Sequence, residues 1–520
     1  MSTETTVKAG RREWVGLAVL ALPTLLLSLD VSVLYLALPE LSADLRPSGT
    51  QQLWIMDVYG FMIAGFLITM GTLGDRIGRR RLLMIGAACF GAASVLAAYA
   101  TSAEALIATR AVLGVAGATL MPSTLALIAT MFADARQRSV AIAVWMSCFM
   151  AGAAIGPVVG GLLLEWFWWG SALLLGVPVM LLLLATAPAL LPEHRDTGAG
   201  RPDPASVLLS LAAILPFVYG VKESAKHGLS TATVTALAVG VVAGAVFVRR
   251  QRRLADPLMD VRLFRNRAFG ASLGILLAGM ALSGGGYFFV TQYLQLVEGR
   301  SAIDSGLWLV PSAGGLIVTS LAAPVLARRT RPALVVAGGL VLSAIGYALL
   351  VTTGPDGATW LTMAAFVVGM AGTGPLGALG IGLVVGSVPP ERAGSASAMS
   401  ETSGELGIAL GVAVLGTIGT AVYRNAVTVP PGVPGDAAEA ARDNLAGAVG
   451  AAEGLPAGPA AALLDDAREA FTGGLHAMAV TGAVTFTVLA VLAVVLLRRV
   501  ATIGDEAAPE AAREEGQPVR

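Results

Sequence analysis

The chain runs to 520 residues, of which 56% are hydrophobic and 13% charged, about half the charged share of a soluble globular domain. Its 34 basic residues cancel its 34 acidic ones, so no global charge recommends nucleic acid as a partner. Length alone suggests three or four soluble domains, but apolar runs long enough to cross a bilayer recur from end to end, and membrane spans set the organisation instead.

Lys8, Arg11 and Arg12 lead into the first apolar run. It passes Asp30 without a small-residue cleavage site and so reads as a retained span rather than a signal peptide. A helix needs about 20 apolar residues to cross the hydrocarbon core. Windows of that kind centre on 15–37, 52–72, 82–101, 104–127, 140–163, 168–191, 205–221, 231–248, 269–291, 305–326, 333–352, 359–386, 395–420 and 473–497. About fourteen spans are predicted, the seventh short and the twelfth rich in glycine. Lys and Arg gather on the cytoplasmic side of membrane proteins. Here they gather in the tails and the even-numbered connections: Arg76 and Arg79 to Arg81, Arg136 and Arg138, Arg195 and Arg201, seven between 249 and 267, Arg328, Arg329 and Arg331, Arg392, then Arg498, Arg499, Arg513 and Arg520. That asymmetry predicts both termini in the cytoplasm. Residues 425–471 break the short-loop pattern with a Pro/Gly opening and two Ala/acid stretches around Pro456, expected as an exposed helix–turn–helix on the outer face. After Arg499 the tail is polar and is expected to lack structure.

Three stretches carry unusual chemistry for a membrane protein. After the second span the sequence reads GTLGDRIGRRR (71–81). Gly71, Gly74 and Gly78 allow a tight turn and close helix approach, and Asp75 can cap a helix or pair with basic residues such as Arg76, Arg79 and Arg80; the plain alternative is an ordinary basic loop. The fourth span holds Arg110 within LIATRAVLGVAGA (106–118). An intramembrane arginine costs several kcal/mol, so it should face the bundle interior and find a partner, if only as a structural ion pair. The fifth span reads GAAIGPVVGG (152–161). Gly152, Gly156 and Gly160 fall four apart on one face beside Pro157 and Gly161; small residues at that spacing let helices touch backbone to backbone, and the proline loosens a turn.

In this order and on these spans, the three stretches resemble the signature motifs of the major facilitator superfamily, the third resembling the motif of its drug/proton antiporters. LDVSVLYLALP (29–39), PLMDVRLFRNR (257–267), YLQLVEG (293–299) and SETSGELGIALGVAVLGT (400–417) are similar to the fourteen-span branch that exports quaternary ammonium compounds, dyes and fluoroquinolones. The resemblance implies an all-α integral membrane fold of two six-helix bundles, 14–203 and 269–498, with two additional spans in 204–249 between them. A tail (1–13), a basic linker (250–268) and a second tail (499–520) would be cytoplasmic, and 425–471 extracellular. An internal repeat is expected of such a fold: APVLARRTRP (323–332) stands where 71–81 stands in the first half, keeping the arginines but lacking the aspartate. The same resemblance implies a monomer in a bacterial plasma membrane, in contact with lipid and small amphiphilic or cationic molecules, driven by protons without a cofactor.

Intramembrane acids are the other candidates. Asp30 lies in the outer half of span 1, Asp57 near the outer end of span 2, and Glu401 and Glu405 in the inner half of span 13. Each is costly in lipid unless it meets a cavity or a partner, and the two glutamates share one helix face. The resemblance places Asp30 and Arg110 at proton-coupling positions, Asp57, Glu401 and Glu405 where cationic drugs are recognised, and 71–81 at a conformational switch. Plainer readings are an interfacial Asp57 and a solvated Glu401. Trp54, Tyr59, Trp145, Met146, Phe149, Tyr287 and Phe288 could line a stacking pocket for flat cations or serve as core and interface anchors. Cys89 and Cys148 sit in apolar runs as small hydrophobes, and His194, His227 and His476 fall near loops or a span start. No Walker motif, metal-ligand spacing or nucleophile elbow is present, so neither ATP-driven transport by this chain nor an enzyme is expected. The expected function is proton-coupled export of lipophilic cations. Export of one self-made antibiotic or metabolite, or nutrient import on the same fold, are the alternatives.

Overall fold

The computed structural model describes residues 9–193, 203–227, 230–254, 257, 259–354, 359–388, 393–431 and 433–497. His194, Arg195, Arg201, Arg392, most of the N-terminal tail and all of the C-terminal tail, including Arg498, Arg499, Arg513 and Arg520, lie outside them. The first half contains α1 (Arg11–Leu45), α2 (Gly49–Ile77), α3 (Arg79–Ala98), α4 (Ala103–Met131), α5 (Ala135–Trp166), α6 (Ser171–Leu174) and α7 (Gly176–Leu190). Then come α8 (Pro204–His227) and α9 (Thr231–Gln251). The second half contains α10 (Arg267–Gln292), α11 (Ala302–Ala327), α12 (Pro332–Leu350), α13 (Thr359–Val385), α14 (Ala393–Ala426), α15 (Gly435–Asp443), α16 (Leu445–Glu453) and α17 (Ala457–Leu496). A π-helical turn, Tyr293–Val297, continues α10. With α6 and α7 taken as one crossing, fourteen segments among the described residues are long and apolar enough to span a membrane, as predicted.

Local chemistry explains where the helices begin. The Ser48 hydroxyl accepts the Gln51 N–H while the Gln51 side chain accepts the Ser48 N–H, a closed capping box at α2. Ser102, Asp134 and Ser301 cap α4, α5 and α11 by one half of that arrangement, each side chain accepting the N–H three residues on. The lipid-facing surface is apolar, with Val239, Val241 and Val242 exposed on α9 and Val318 and Leu321 on α11. Water would penalise such a surface; hydrocarbon does not.

Within the first half α1 lies along α5 and α2 along α4; within the second, α12 packs against α13 and α17, and α10 against α14. The α8–α9 hairpin stands to one side, with α8 touching both α2 and α14. Arg250 donates two hydrogen bonds of 2.9 Å to Asp203 at the base of that hairpin and holds the Asp203 carboxyl down at about 2. The halves meet where α2 faces α14 and α5 faces α11.

At the end of the bundle that carries α15 and α16, the halves are also latched. Asp443 accepts the Gly49 N–H at the start of α2 (2.7 Å) and the Arg424 guanidinium of α14 (2.6 Å). This segment differs from the expected exposed helix–turn–helix in two respects. Pro456 does stand at a turn, but the arm that follows is the first part of α17, a 40-residue helix about 60 Å long that also forms the last span. The preceding arm breaks at Asn444, whose side chain accepts the Gly447 N–H to start α16, and it buries Ala441, Leu445 and Ala448. Span windows register only continuous apolar runs, so the alanine-rich start of α17 falls outside them.

Candidate transport site

Among the described residues, two buried ion pairs occupy the interior. In the first, Arg110 of α4 reaches Asp30 of α1, Nη1 to Oδ2 2.7 Å, and its guanidinium lies 4.5 Å over the Tyr59 ring of α2. Arg110 is 1% exposed. Three helices of the first half thus supply cation, anion and π face to one cluster, which answers the cost of burying an arginine.

The glycine-rich face of α5 sits directly behind that cluster. A side chain at Gly152 would collide with the Leu25 carbonyl of α1, one at Gly156 with Ser32, and one at Gly160 would crowd Val33. Asp30 lies among those α1 residues, so the backbone contact fixes the depth at which its carboxylate stands. The opposite side of the same segment meets the second half: Pro157 abuts Gly306, and Gly161 abuts Ile303 of α11. Gly152→Val is therefore expected to cost about 1–3 kcal/mol through overpacking, because α1 must retreat and take Asp30 away from Arg110. Thermal unfolding of the purified protein checks this; a wild-type unfolding temperature would mean that the α1–α5 seam has slack.

The second pair was not visible in the sequence reading, which ended the seventh span at residue 221. The helix continues to His227, and Lys222 on its last turns is 3% exposed. Its ammonium donates to Asp57 Oδ2 at 2.7 Å and stands 4.3 Å over the Trp54 ring. Asp57 is 1% exposed, so its carboxylate is enclosed by protein and matched by a cation. The available signal was a lysine adjoining an apolar run, in a chain that buries an acid without an obvious partner.

Glu401 and Glu405 are half-buried on α14 and form no ion pair among the described residues. The Glu405 turn packs on Gly60 of α2, beside Ala409, so Glu405 belongs to the same α2–α14 seam as Asp57. Tyr287 and Phe288 of α10 meet Tyr35 of α1 at ring separations of 5.3 and 6.2 Å, forming an aromatic bridge between the halves to which Tyr35 is the contributor that sequence reasoning missed. Trp145 is buried and donates its indole N–H to Thr124 at 3.2 Å, a packing role within the first half. Met146 is exposed and Phe149 half-buried on α5; no ring contact joins either to the two ion pairs among the described residues.

In the 71–81 stretch, Gly78 adopts φ 114°, a conformation open to glycine alone at little cost, and turns α2 into α3. Asp75 pairs with Arg79 across that turn, 2.7 Å from Nε. Arg80 donates to the Leu191 carbonyl at 3.0 Å and lies 3.6 Å from Glu193, tying the turn to the end of α7.

Two helical halves meeting along a seam, with charged side chains paired at membrane depth, are the build of a secondary transporter. The Major Facilitator Superfamily model matches residues 20–412, and the chain belongs to that family, a multi-pass membrane protein. It is 46% identical to the multidrug efflux pump LfrA of Mycolicibacterium smegmatis, over 96% of this chain and 99% of that one. It is 33% identical to the methyl viologen resistance protein SmvA of Salmonella typhimurium, over 91% and 95%, and 31% identical to the tetracenomycin C resistance and export protein of Streptomyces glaucescens, over 96% and 94%. Among solved structures, a bacterial homologue of the human lysosomal transporter Spinster superposes with a TM-score of 0.66 at 17% identity, covering 95% of this chain and 98% of that one, a likeness of fold.

Proposed function

We propose that this chain is a proton-coupled multidrug antiporter that exports lipophilic cations and antibiotics across a bacterial plasma membrane, with both termini in the cytoplasm and the α15–α16 end outside. The observation that carries this reading is the buried Asp30–Arg110 pair, held against the glycine face of α5 that itself touches the second half. The efflux pump and the resistance and export protein among the relatives named above support the direction, and the arginine-rich connections support the orientation. In this reading the Asp443 latch and the α5–α11 contact close the outer side, leaving the seam to load from the cytoplasm.

The chemistry is a competition. A proton on Asp30 neutralises the charge that holds Arg110, freeing the α1–α4 contact to rearrange with the seam. Cargo recognition falls to the carboxylates of α14, whose charge can be given to a cation or to a proton but not to both. Exchange of two protons for one monovalent cation carries one net charge inward and gains about 2.3 kcal/mol per 100 mV of membrane potential. The proton gradient is then the sole source of energy, and a monomer suffices.

The test uses everted vesicles with an acidified lumen. Adding ethidium, a flat monocation, or dequalinium, an elongated dication, should discharge the proton gradient and accumulate the cation. Cation movement only in the opposite direction would make the chain an importer, and no movement of either cation or proton would remove the antiport reading. A finer outcome concerns Glu405→Gln. Loss of a charged partner in a buried site is worth about 1.5–3 kcal/mol, so dequalinium export should fall roughly tenfold or more by that measure, with ethidium export reduced less because apolar contact supplies most of its binding. Equal losses for both cargoes would place Glu405 in the coupling machinery instead.

A further inference from the structure

We infer that the Lys222 ammonium is a tethered substitute for cationic cargo, occupying a half-site made by Asp57 and Trp54 that a second positive centre on the cargo must win by displacing it. The inference rests on the export reading above and on the expectation that Asp57 meets cationic cargo, and goes beyond both by naming Lys222 as the residue that guards that carboxylate.

The half-site has the composition that recognises an organic ammonium: a carboxylate 2.7 Å from the cation and an indole face 4.3 Å away. Its walls are apolar. Phe61 stands 6.2 Å from Trp54, and the same cluster includes Ile214, Leu406 and Ala409, from α8 and α14. A lipophilic body would be at home against them. Asp57 also keeps capacity in reserve, since its Oδ1 is buried without a hydrogen-bond partner among the described residues. The position on the α2–α14 seam puts the half-site on the same interface as Glu405, whose backbone turn packs against Gly60.

Lys222 is built to leave, unlike Arg110. A lysine offers one compact charge on a flexible stem, whereas arginine presents a planar fork that is costly to replace. Lys222 comes from α8 in the side hairpin, five residues before the helix ends at His227, about 8 Å along the axis. A lysine stem can snorkel over much of that distance toward the polar end of its helix. Arg110 stands seven residues into α4, clasped between Asp30 of α1 and the Tyr59 ring of α2. The two ion pairs thus differ in place: one lies within the first half, and the other joins the α2–α14 seam to the side hairpin.

The experiment measures binding of dequalinium and of tetraphenylphosphonium to purified full-length protein in nanodiscs. Lys222→Gln should bind dequalinium at least tenfold tighter than wild type. That gain should vanish when Lys222→Gln is compared with Lys222 intact in an Asp57→Asn background, which separates release of this half-site from a general loss of positive charge. An equal gain in the Asp57→Asn background, or no gain at all, overturns the inference. Because Lys222→Gln leaves Asp57 unpaired and folding could suffer, the wild-type protein supplies a second readout. The chain's other lysines are Lys8 and Lys226, so reductive methylation followed by mass spectrometry reports Lys222 cleanly. Dequalinium should raise Lys222 methylation severalfold relative to Lys8, and an unchanged rate under saturating dequalinium also overturns the inference. Failure of wild type to bind either cation strikes the export reading; normal wild-type binding with unmoved Lys222 readouts strikes this inference alone.

Discussion

Asp30→Asn is expected to abolish export of every cargo, lowering resistance at least tenfold to that of a host without the pump, while protein still reaches the membrane. The asparagine keeps the shape and one hydrogen bond to Arg110 but can no longer alternate between charged and neutral, and that alternation is what the proton gradient drives. Cargo-evoked proton release in everted vesicles should fall to background for ethidium and dequalinium alike. Asp30→Glu retains an ionisable group one methylene out of register, so it should recover part of the signal. Wild-type resistance in Asp30→Asn would show that the coupling proton is carried elsewhere and that the Asp30–Arg110 pair only holds helices together.

Arg110→Ala should be the more damaging of two substitutions at its site. Removing one partner of a buried pair leaves an uncompensated charge and costs about 3–5 kcal/mol, because Asp30 has no other ion-pair partner among the described residues. Low yield and a lowered unfolding temperature are the expected outcome. Arg110→Lys preserves the charge but gives up the planar stack over Tyr59, so it should fold and export slowly. The two variants are compared by membrane abundance, unfolding temperature and initial efflux rate. Identical behaviour in all three would mean that the charge is not the quantity that matters at position 110.

Hydropathy alone made the fourteen crossings legible, since each holds an apolar run near 20 residues and lipid forbids any other backbone arrangement for it. Boundaries were less legible wherever a helix outlasts its apolar run. The last span was read from 473 although α17 begins at Ala457, and the seventh was stopped one residue short of Lys222. The charged residues Asp30 and Arg110 could each be flagged by cost, but their mutual pairing across 80 positions follows from how four helices pack, which no periodicity encodes. Asp57 was flagged correctly as an acid needing an explanation; the explanation lay on a helix outside both bundles. The glycines of 152–161 announced close packing, and only the structure distributes them between α1 and α11.

The ion pairs also bear on how the chain is made. Asp57 precedes Lys222 by 165 residues, and at about 5–20 residues per second of synthesis its carboxyl waits on the order of ten to thirty seconds before the ammonium that matches it exists. Asp30 waits for Arg110 across 80 residues, roughly half as long. The first two spans therefore begin life as imperfect membrane helices, each carrying an acid that lipid resists, and they complete their insertion as an assembly rather than one by one. The side hairpin acquires a role in biogenesis on this account. Its arrival, after the entire first half has been synthesised, supplies the cation that matches Asp57 of the second span.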